Sequence, residues 1–233
     1  MEFKHTTDRP LRVFTAFSGY DSQCLALDRI GIPYELVGWS EIDKYAIQAH
    51  KAIYPQWKDR NYGDISKIDW SQVPDFDLFT YSFPCTDISN AGLQKGLSEG
   101  DGTRSSLLWE CKKAIEAKKP MYLLMENVKA LVSKKFLPDY KKWVNYLDQQ
   151  GYSSFSEILN AKDYGVPQNR ERIFLASCRE PWWFSFPHPF PLEKRLKDVL
   201  EDNVDEKYYL SDKTVEGFLQ HNISHEEKGT GFI

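Results

Sequence analysis

Phe83-Pro84-Cys85-Thr86-Asp87-Ile88-Ser89 follows almost directly on Phe76-Asp77-Leu78-Phe79-Thr80-Tyr81, and the fold is decided by reading the two together. The earlier stretch is β-rich, mostly apolar and bounded by Pro74, the pattern of a buried strand. A cysteine just past such a strand lies where open parallel sheets bind ligands, at the mouth beyond the strand carboxyl ends. An arbitrary cysteine is more often a small buried hydrophobe. The position of Cys85, before a polar and glycine-bearing segment from Asn90 to Thr103, makes a reactive thiol the stronger reading.

Upstream, Leu11-Arg12-Val13-Phe14-Thr15-Ala16-Phe17 reads as a first strand and Ser18-Gly19 as a turn. A helix follows with Cys24, Leu27 and Ile30 on one face, capped by Asp21 or Ser22 and stopped at Gly31. A second strand, 34–39, ends in Ser40-Glu41-Ile42-Asp43, and a helix from Lys44 to Ile53 stops before Pro55. Strand, glycine turn, helix and a strand with a terminal acid make up a nucleotide-binding βαβ pattern, in which the acid accepts from ribose hydroxyls. The G-x-G-x-x-G signature is absent, so a generic α/β unit with a solvated Glu41 is an equal reading of these residues alone. Gly63-Asp64-Ile65 reads as a third strand end whose acid accepts an adenine amino group, or else as the cap of a short helix.

Downstream, Ser105 to Lys118 reads as a helix with Leu108, Cys111 and Ile115 inward. Met121 to Met125 reads as a central parallel strand covered on both faces, ending at Glu126-Asn127. Glu126 is either an acid for proton transfer or a structural partner of a nearby arginine. An amphipathic segment, 136–149, leads through Gly151 to Ser154-Phe155-Ser156-Glu157-Ile158-Leu159, then to Gln168-Asn169-Arg170-Glu171-Arg172 and a strand from Ile173 to Ser177. Arg170 and Arg172 alternate on extended chain and share a face. That suits a carbonyl or phosphate, or simply flanks an edge strand. Residues 181–191, with four prolines, read as an ordered linker packed on the body. His221 and His225 lack the glutamate of a zinc-protease helix, so no metal is expected.

The 233 residues allow one sizeable core and a small appendage, and 15% aromatic content favours a packed domain over disorder. No apolar run reaches membrane-spanning length and the first residues do not open a signal peptide. Cys24, Cys85, Cys111 and Cys178 lie far apart without a C-x-x-C, which fits a reducing cytoplasm. A net charge of −4 argues against a self-sufficient nucleic-acid binder, though not against a catalytic domain with a local binding surface.

In order along the chain, Phe17-Ser18-Gly19, Glu41-Ile42-Asp43, Gly63-Asp64-Ile65, Phe83-Pro84-Cys85 with Ser89 and Gly92, Gly102-Thr103-Arg104-Ser105 with Leu107, Glu126-Asn127-Val128 and Gln168-Asn169-Arg170-Glu171-Arg172 resemble the motifs of the DNA cytosine-5 methyltransferases. The resemblance implies an α/β, Rossmann-like S-adenosylmethionine-dependent fold: a mostly parallel sheet with helices on both faces. It implies a Cys85 nucleophile, Glu126 as proton donor to the base, Arg172 holding the base's O2 and Arg170 supporting that loop. Ser89, Asn127 and Gln168 are implied on the substrate side. S-adenosylmethionine, leaving as S-adenosylhomocysteine, is implied in a pocket of Phe17, Ser18, Gly19, Glu41, Ile42, Asp64, Ile65, Ser82, Pro84 and Leu107, with no metal. The implied substrate is a flipped-out cytosine of double-stranded DNA, in a restriction-modification or phage setting.

Two departures qualify the match. Tyr20-Asp21-Ser22 stands where the family usually has glycines, and the sequence stops at Ile233 where the family continues into a target-recognition domain. Residues 1–190 are therefore expected to be a catalytic domain and 191–233 an extension, with target recognition coming from a missing segment or a second chain. The competing readings are an incomplete or split subunit, an RNA cytosine-5 methyltransferase and a small-molecule methyltransferase.

Overall fold

The computed structural model describes residues 6–88, 97–98, 100, 102–179 and 184–227. Ser89 and Gly92, both tied to the nucleophile motif, lie outside the described residues. The chain divides into two compact units, Met1–Pro191 and Leu192–Ile233. In the first, β1 (Leu11–Ala16), β2 (Tyr34–Ser40), β3 (Leu78–Tyr81), β4 (Tyr122–Val128), β5 (Ser153–Asn160) and β6 (Glu171–Cys178) form one sheet in the order β2-β1-β3-β4-β6-β5. The β2, β1, β3 and β4 strands run parallel; β6 is antiparallel to β4, and β5 to β6.

Alternation along the strands divides the core. Val13, Leu36 and Trp39 face α1 (Ser22–Ile30) and α2 (Lys44–Ile53), where Cys24, Leu27 and Tyr54 complete one cluster. Phe14, Phe79, Tyr81, Leu123 and Met125 face the other way, onto α3 (Cys111–Lys118) and α4 (Leu137–Gln149). On α4, Tyr140, Trp143 and Leu147 follow the spacing of one helical face and are all buried. Both sheet faces are thus covered, and the expected Rossmann-like α/β architecture is present.

Local chemistry sets the boundaries. The Asp43 carboxylate accepts the Tyr45 and Ala46 amides at 2.9 Å each and starts α2. Gly31 ends α1 at a left-handed φ of 69°. Between β1 and β2 the register slips by one residue at Gly38. A Cβ there would lie 2.7 Å from the rings of Phe14 and Tyr62, so the close approach requires glycine. In the linker, Phe184 packs near Phe155, and Phe190 meets Tyr164 edge-on. Among the described residues, the second unit carries one α-helix, α5 (Asp212–Glu227).

Several expectations are corrected in detail. Residues 63–65 are not a strand end: Gly63 adopts φ 71° and Asp64 caps a 3-10 turn, Ile65–Lys67, accepting the Ser66 amide at 3.0 Å. The helix expected from Ser105 opens as a 3-10 turn, Ser105–Glu110, because the Ser105 and Ser106 hydroxyls bind the carbonyls of Pro84 and Thr103. Ile30 is exposed, since α1 ends before its inner face comes round again. Asp21 occupies the N-cap position of α1 but its side chain caps nothing; it turns inward instead.

Candidate active site

Register places the site. Ala16 is level with Ser40 on one side and Tyr81 on the other, and Tyr81 is level with Met125. The residues that follow, Phe17, Glu41, Ser82 and Glu126, therefore stand in a row along one rim of the sheet. Because β6 runs the opposite way, its first residues reach that same rim, with Arg172 level with Val128 and Phe174 with Glu126.

A cavity of about 260 Å³ opens between the ends of β1, β2 and β3. Phe17, Glu41, Ile42, Asp64, Ile65, Ser82, Pro84 and Leu107 line it, as the sequence implied. Ser40, Gly63 and Arg104 line it too and were not named as contacts; Gly63 and Arg104 lie inside the quoted motifs, so adjacency was the available signal. Ser18 and Gly19 are not among the cavity's lining residues. The Ser18 hydroxyl is buried without a hydrogen-bond partner among the described residues, and the Gly19 amide donates to Glu41 Oε2 at 2.9 Å. Glu41 Oε1 also accepts the Ile42 and Asp43 amides, at 2.8 and 2.9 Å. The hydroxyl and amide of Ser66 lower the Asp64 carboxyl below its ordinary value, so it presents an ionised acceptor. A flat ring, two carboxylates and a narrow cleft suit a ligand with an aromatic base, an amino group and vicinal hydroxyls.

Phe17 adopts φ 55° and Asp21 φ 68°, conformations that bulky or branched residues rarely take. Asp21 stands where the resemblance led to glycine. Its Oδ2 accepts from Thr15 Oγ1 at 2.8 Å and lies 3.2 Å from His50 Nε2, and Asp21 and His50 are both fully buried. The His50 ring stacks on Trp39 at 3.8 Å. Burial, and then the Asp21 charge, push the nearby Cys24 thiol far above its usual range. Sequence reading missed His50, because its partner is 29 residues away.

Cys85 is partly exposed, whereas Cys24, Cys111 and Cys178 are buried. Its loop is clipped on each side. Asn127 Nδ2 donates to the Phe83 carbonyl at 2.9 Å and Ser105 Oγ to the Pro84 carbonyl at 2.7 Å. Two residues on, the buried Asp87 carboxylate accepts the amides of Arg104 at 2.9 Å and Ser105 at 3.3 Å. The Asn127 side chain, expected on the substrate side, is thus turned toward the Cys85 loop. Asp87 was quoted in the sequence but given no role; a carboxylate two residues after the thiol was the signal.

Arg172 Nε forms an ion pair with Glu126 Oε1 at 3.0 Å, and both side chains are about a quarter exposed. The acid–arginine pair foreseen as a structural alternative is therefore present. It sits beside an open cleft of about 700 Å³ lined by Gln168, Asn169, Arg170 and Arg172 on one wall and Lys129 and Ser133 on the other. Lys129 crosses its edge to Glu171 at 3.0 Å. Among the described residues no cluster of His, Cys, Asp and Glu could hold a metal.

Comparisons with known proteins agree with this geometry. The family described as C-5 cytosine-specific DNA methylase matches residues 11–233. The type II methyltransferase M2.ScrFI of Lactococcus lactis subsp. cremoris is 42% identical over 94% of this chain and 77% of its own length. The orphan methyltransferase M.Rho11sI of Bacillus phage rho11s is 34% identical over 96% of this chain, but this chain spans only 50% of it. Among solved structures, a Spodoptera frugiperda DNMT2 variant superposes with a TM-score of 0.72 at 20% identity, covering 90% of this chain and 65% of that one; that likeness concerns the fold. The strand-end cavity, the clipped cysteine loop and the acid–arginine pair, with the match over nearly the whole sequence, place the chain in the C-5 cytosine-specific DNA methylase family.

Proposed function

We propose that this chain transfers a methyl group from S-adenosylmethionine to carbon 5 of cytosine in double-stranded DNA. The observation that carries the reading is the shared rim. The Glu126–Arg172 pair, the Cys85 loop and the cavity walled by Pro84 lie side by side at the strand ends. The cavity fits the cofactor: Phe17 would stack on adenine, Asp64 accept its amino group and Glu41 accept from the ribose. When bound, the cofactor supplies an electrophilic methyl group on a sulfonium.

Carbon 5 of cytosine is a weak nucleophile, and the chain's own residues raise its reactivity. The Cys85 thiolate adds through Sγ to carbon 6 and pushes the ring electrons toward N3. Glu126, protonated, delivers a proton to N3 so that no full negative charge builds on the ring. General acid catalysis of this kind contributes about 10²–10⁴-fold. Arg172 donates to O2 and Arg170 supports that wall of the cleft, where Gln168 also faces the base. After transfer, loss of the proton on carbon 5 restores the ring double bond and expels the Cys85 thiolate. Asn127 supports the reaction through the loop it clips, and Ser89 is assigned to the substrate side by resemblance. The target base reaches these groups only when extruded from the duplex.

The unit Met1–Pro191 is read as the catalytic domain and the remainder as an extension of it. A bacterial or phage-infected cytoplasm is the proposed setting, supported by the organisms of the relatives. Among the described residues, no helix is long and apolar enough to cross a membrane. Sequence choice is proposed to need parts found in the longer relatives, supplied by a further segment or a second chain.

The test is transfer from labelled S-adenosylmethionine to mixed-sequence duplex DNA, with Cys85→Ala as control and tRNA as competitor. Cys85-dependent labelling of DNA is expected. Labelling that survives Cys85→Ala, or that goes to tRNA alone, refutes the reading.

A further inference from the structure

We infer that Asp21, engaged by His50, is a positioning residue for the cofactor turn: it holds Phe17–Gly19 from the buried side while a ligand occupies the cavity side. The inference rests on the cofactor reading above. Besides the backbone bond from the Ser18 amide to the Ser40 carbonyl at 3.2 Å, two side-chain ties join the turn to the β2–α2 segment. On the cavity side, the Gly19 amide donates to Glu41 at 2.9 Å. On the buried side, Asp21 Oδ2 receives Thr15 Oγ1 at 2.8 Å from β1 and faces His50 Nε2 at 3.2 Å from α2.

These ties respond differently to a ligand. Glu41 already accepts three amides. A ribose hydroxyl that donates to Glu41 would share Oε2 with the Gly19 amide, so the cavity-side tie serves ligand and turn together. The buried tie faces no ligand and stays intact. The buried tie adds to the backbone bonds that hold a turn in which Phe17 and Asp21 keep left-handed φ values of 55° and 68°, the first unusual for a bulky residue.

Neither helix capping nor stabilisation accounts for an aspartate at this position. It is at the N-cap of α1, yet no helix amide reaches its side chain. It is a poor stabiliser as well: Asp21 Oδ1 and His50 Nδ1 are buried without hydrogen-bond partners among the described residues, which is costly in an apolar layer. A position with this φ favours glycine. What an aspartate adds there is a carboxylate that reaches both β1 and α2.

The experiment is calorimetric titration of the folded chain with S-adenosylhomocysteine. Asp21→Gly suits the backbone but removes the tie, and affinity should fall about tenfold, the size of one lost hydrogen bond to a charged group. Asp21→Asn can still accept from Thr15 and His50 and should recover most of that loss. His50→Phe keeps a ring on Trp39 but gives Asp21 no donor, so it should weaken binding several-fold; His50→Gln, which can donate, should restore it. Wild-type affinity in either Asp21→Gly or His50→Phe overturns the positioning role, as does an Asn variant as weak as the Gly variant. If Asp21→Gly does not fold, the two His50 variants decide. A wild-type chain that binds no S-adenosylhomocysteine removes the cofactor reading and this inference with it, whereas a binding wild type with indifferent variants removes the inference alone.

Discussion

Replacing Asp87 by alanine should loosen the loop that presents the cysteine. The carboxylate is 7% exposed and accepts the Arg104 amide at 2.9 Å and the Ser105 amide at 3.3 Å. A buried hydrogen bond to a charged group contributes roughly 1.5–3 kcal/mol, and the longer of the two contributes less. The variant leaves both amides without that acceptor, so a loss of about 2–3 kcal/mol follows. For a chain of this size that corresponds to about 4–12 °C in melting temperature. Asp87→Asn keeps an acceptor and should lose about half as much. Urea unfolding followed by fluorescence gives the free energy. Iodoacetamide alkylation of Cys85 in the native state reports the loop, and its rate should rise in the alanine variant. Stability within about 0.5 kcal/mol of wild type, the range of an ordinary surface substitution, would refute the latch.

Three further outcomes follow from the packing. In the native protein a thiol reagent should modify Cys85 well before Cys24, Cys111 or Cys178, because only Cys85 is not buried; mass mapping that finds another cysteine labelled as fast contradicts the placement. Gly38→Ala puts a methyl 2.7 Å from two aromatic rings and should cost about 1–3 kcal/mol in urea unfolding; a neutral result means that the β1–β2 bulge is misdrawn. The Asp64 carboxyl titrates below its ordinary value of 3.8, so its contribution is fully present above that value and disappears as pH falls through the lowered one. Asp64→Asn should therefore unfold at lower urea than wild type at pH 6, with the gap closing in acid, and a pH-independent gap would show that Ser66 does not hold the ionised form.

Short-range patterns carried most of the architecture. The apolar run before Cys85, the glycine stop at Gly31 and the inward faces of α3 and α4 were legible because each depends on neighbours within a turn or a strand. The third strand end was misread because an acid after glycine looks alike before a helical turn and after a strand. The β4–β6 pairing could not be read, since a ladder between residues 44 to 56 apart leaves no local trace of its direction. Most of the cavity's lining came from motif order, whereas the Asp21–His50 contact and the Asp87 latch needed coordinates. Both involve polar side chains whose partners lie on other elements.

The opposed direction of β6 separates the site into an anvil and a hammer. Glu126 and Arg172 ride two rungs apart on one backbone ladder, so a change in twist carries both together and their spacing belongs to the sheet. Cys85 rides on a loop fixed by the side chains of Asn127, Ser105 and Asp87. Substitutions at the loop's clips can therefore shift the Cys85 thiol while the Glu126–Arg172 pair keeps its spacing. Divergence within such a scaffold has a free coordinate on one side of the reaction and a rigid one on the other.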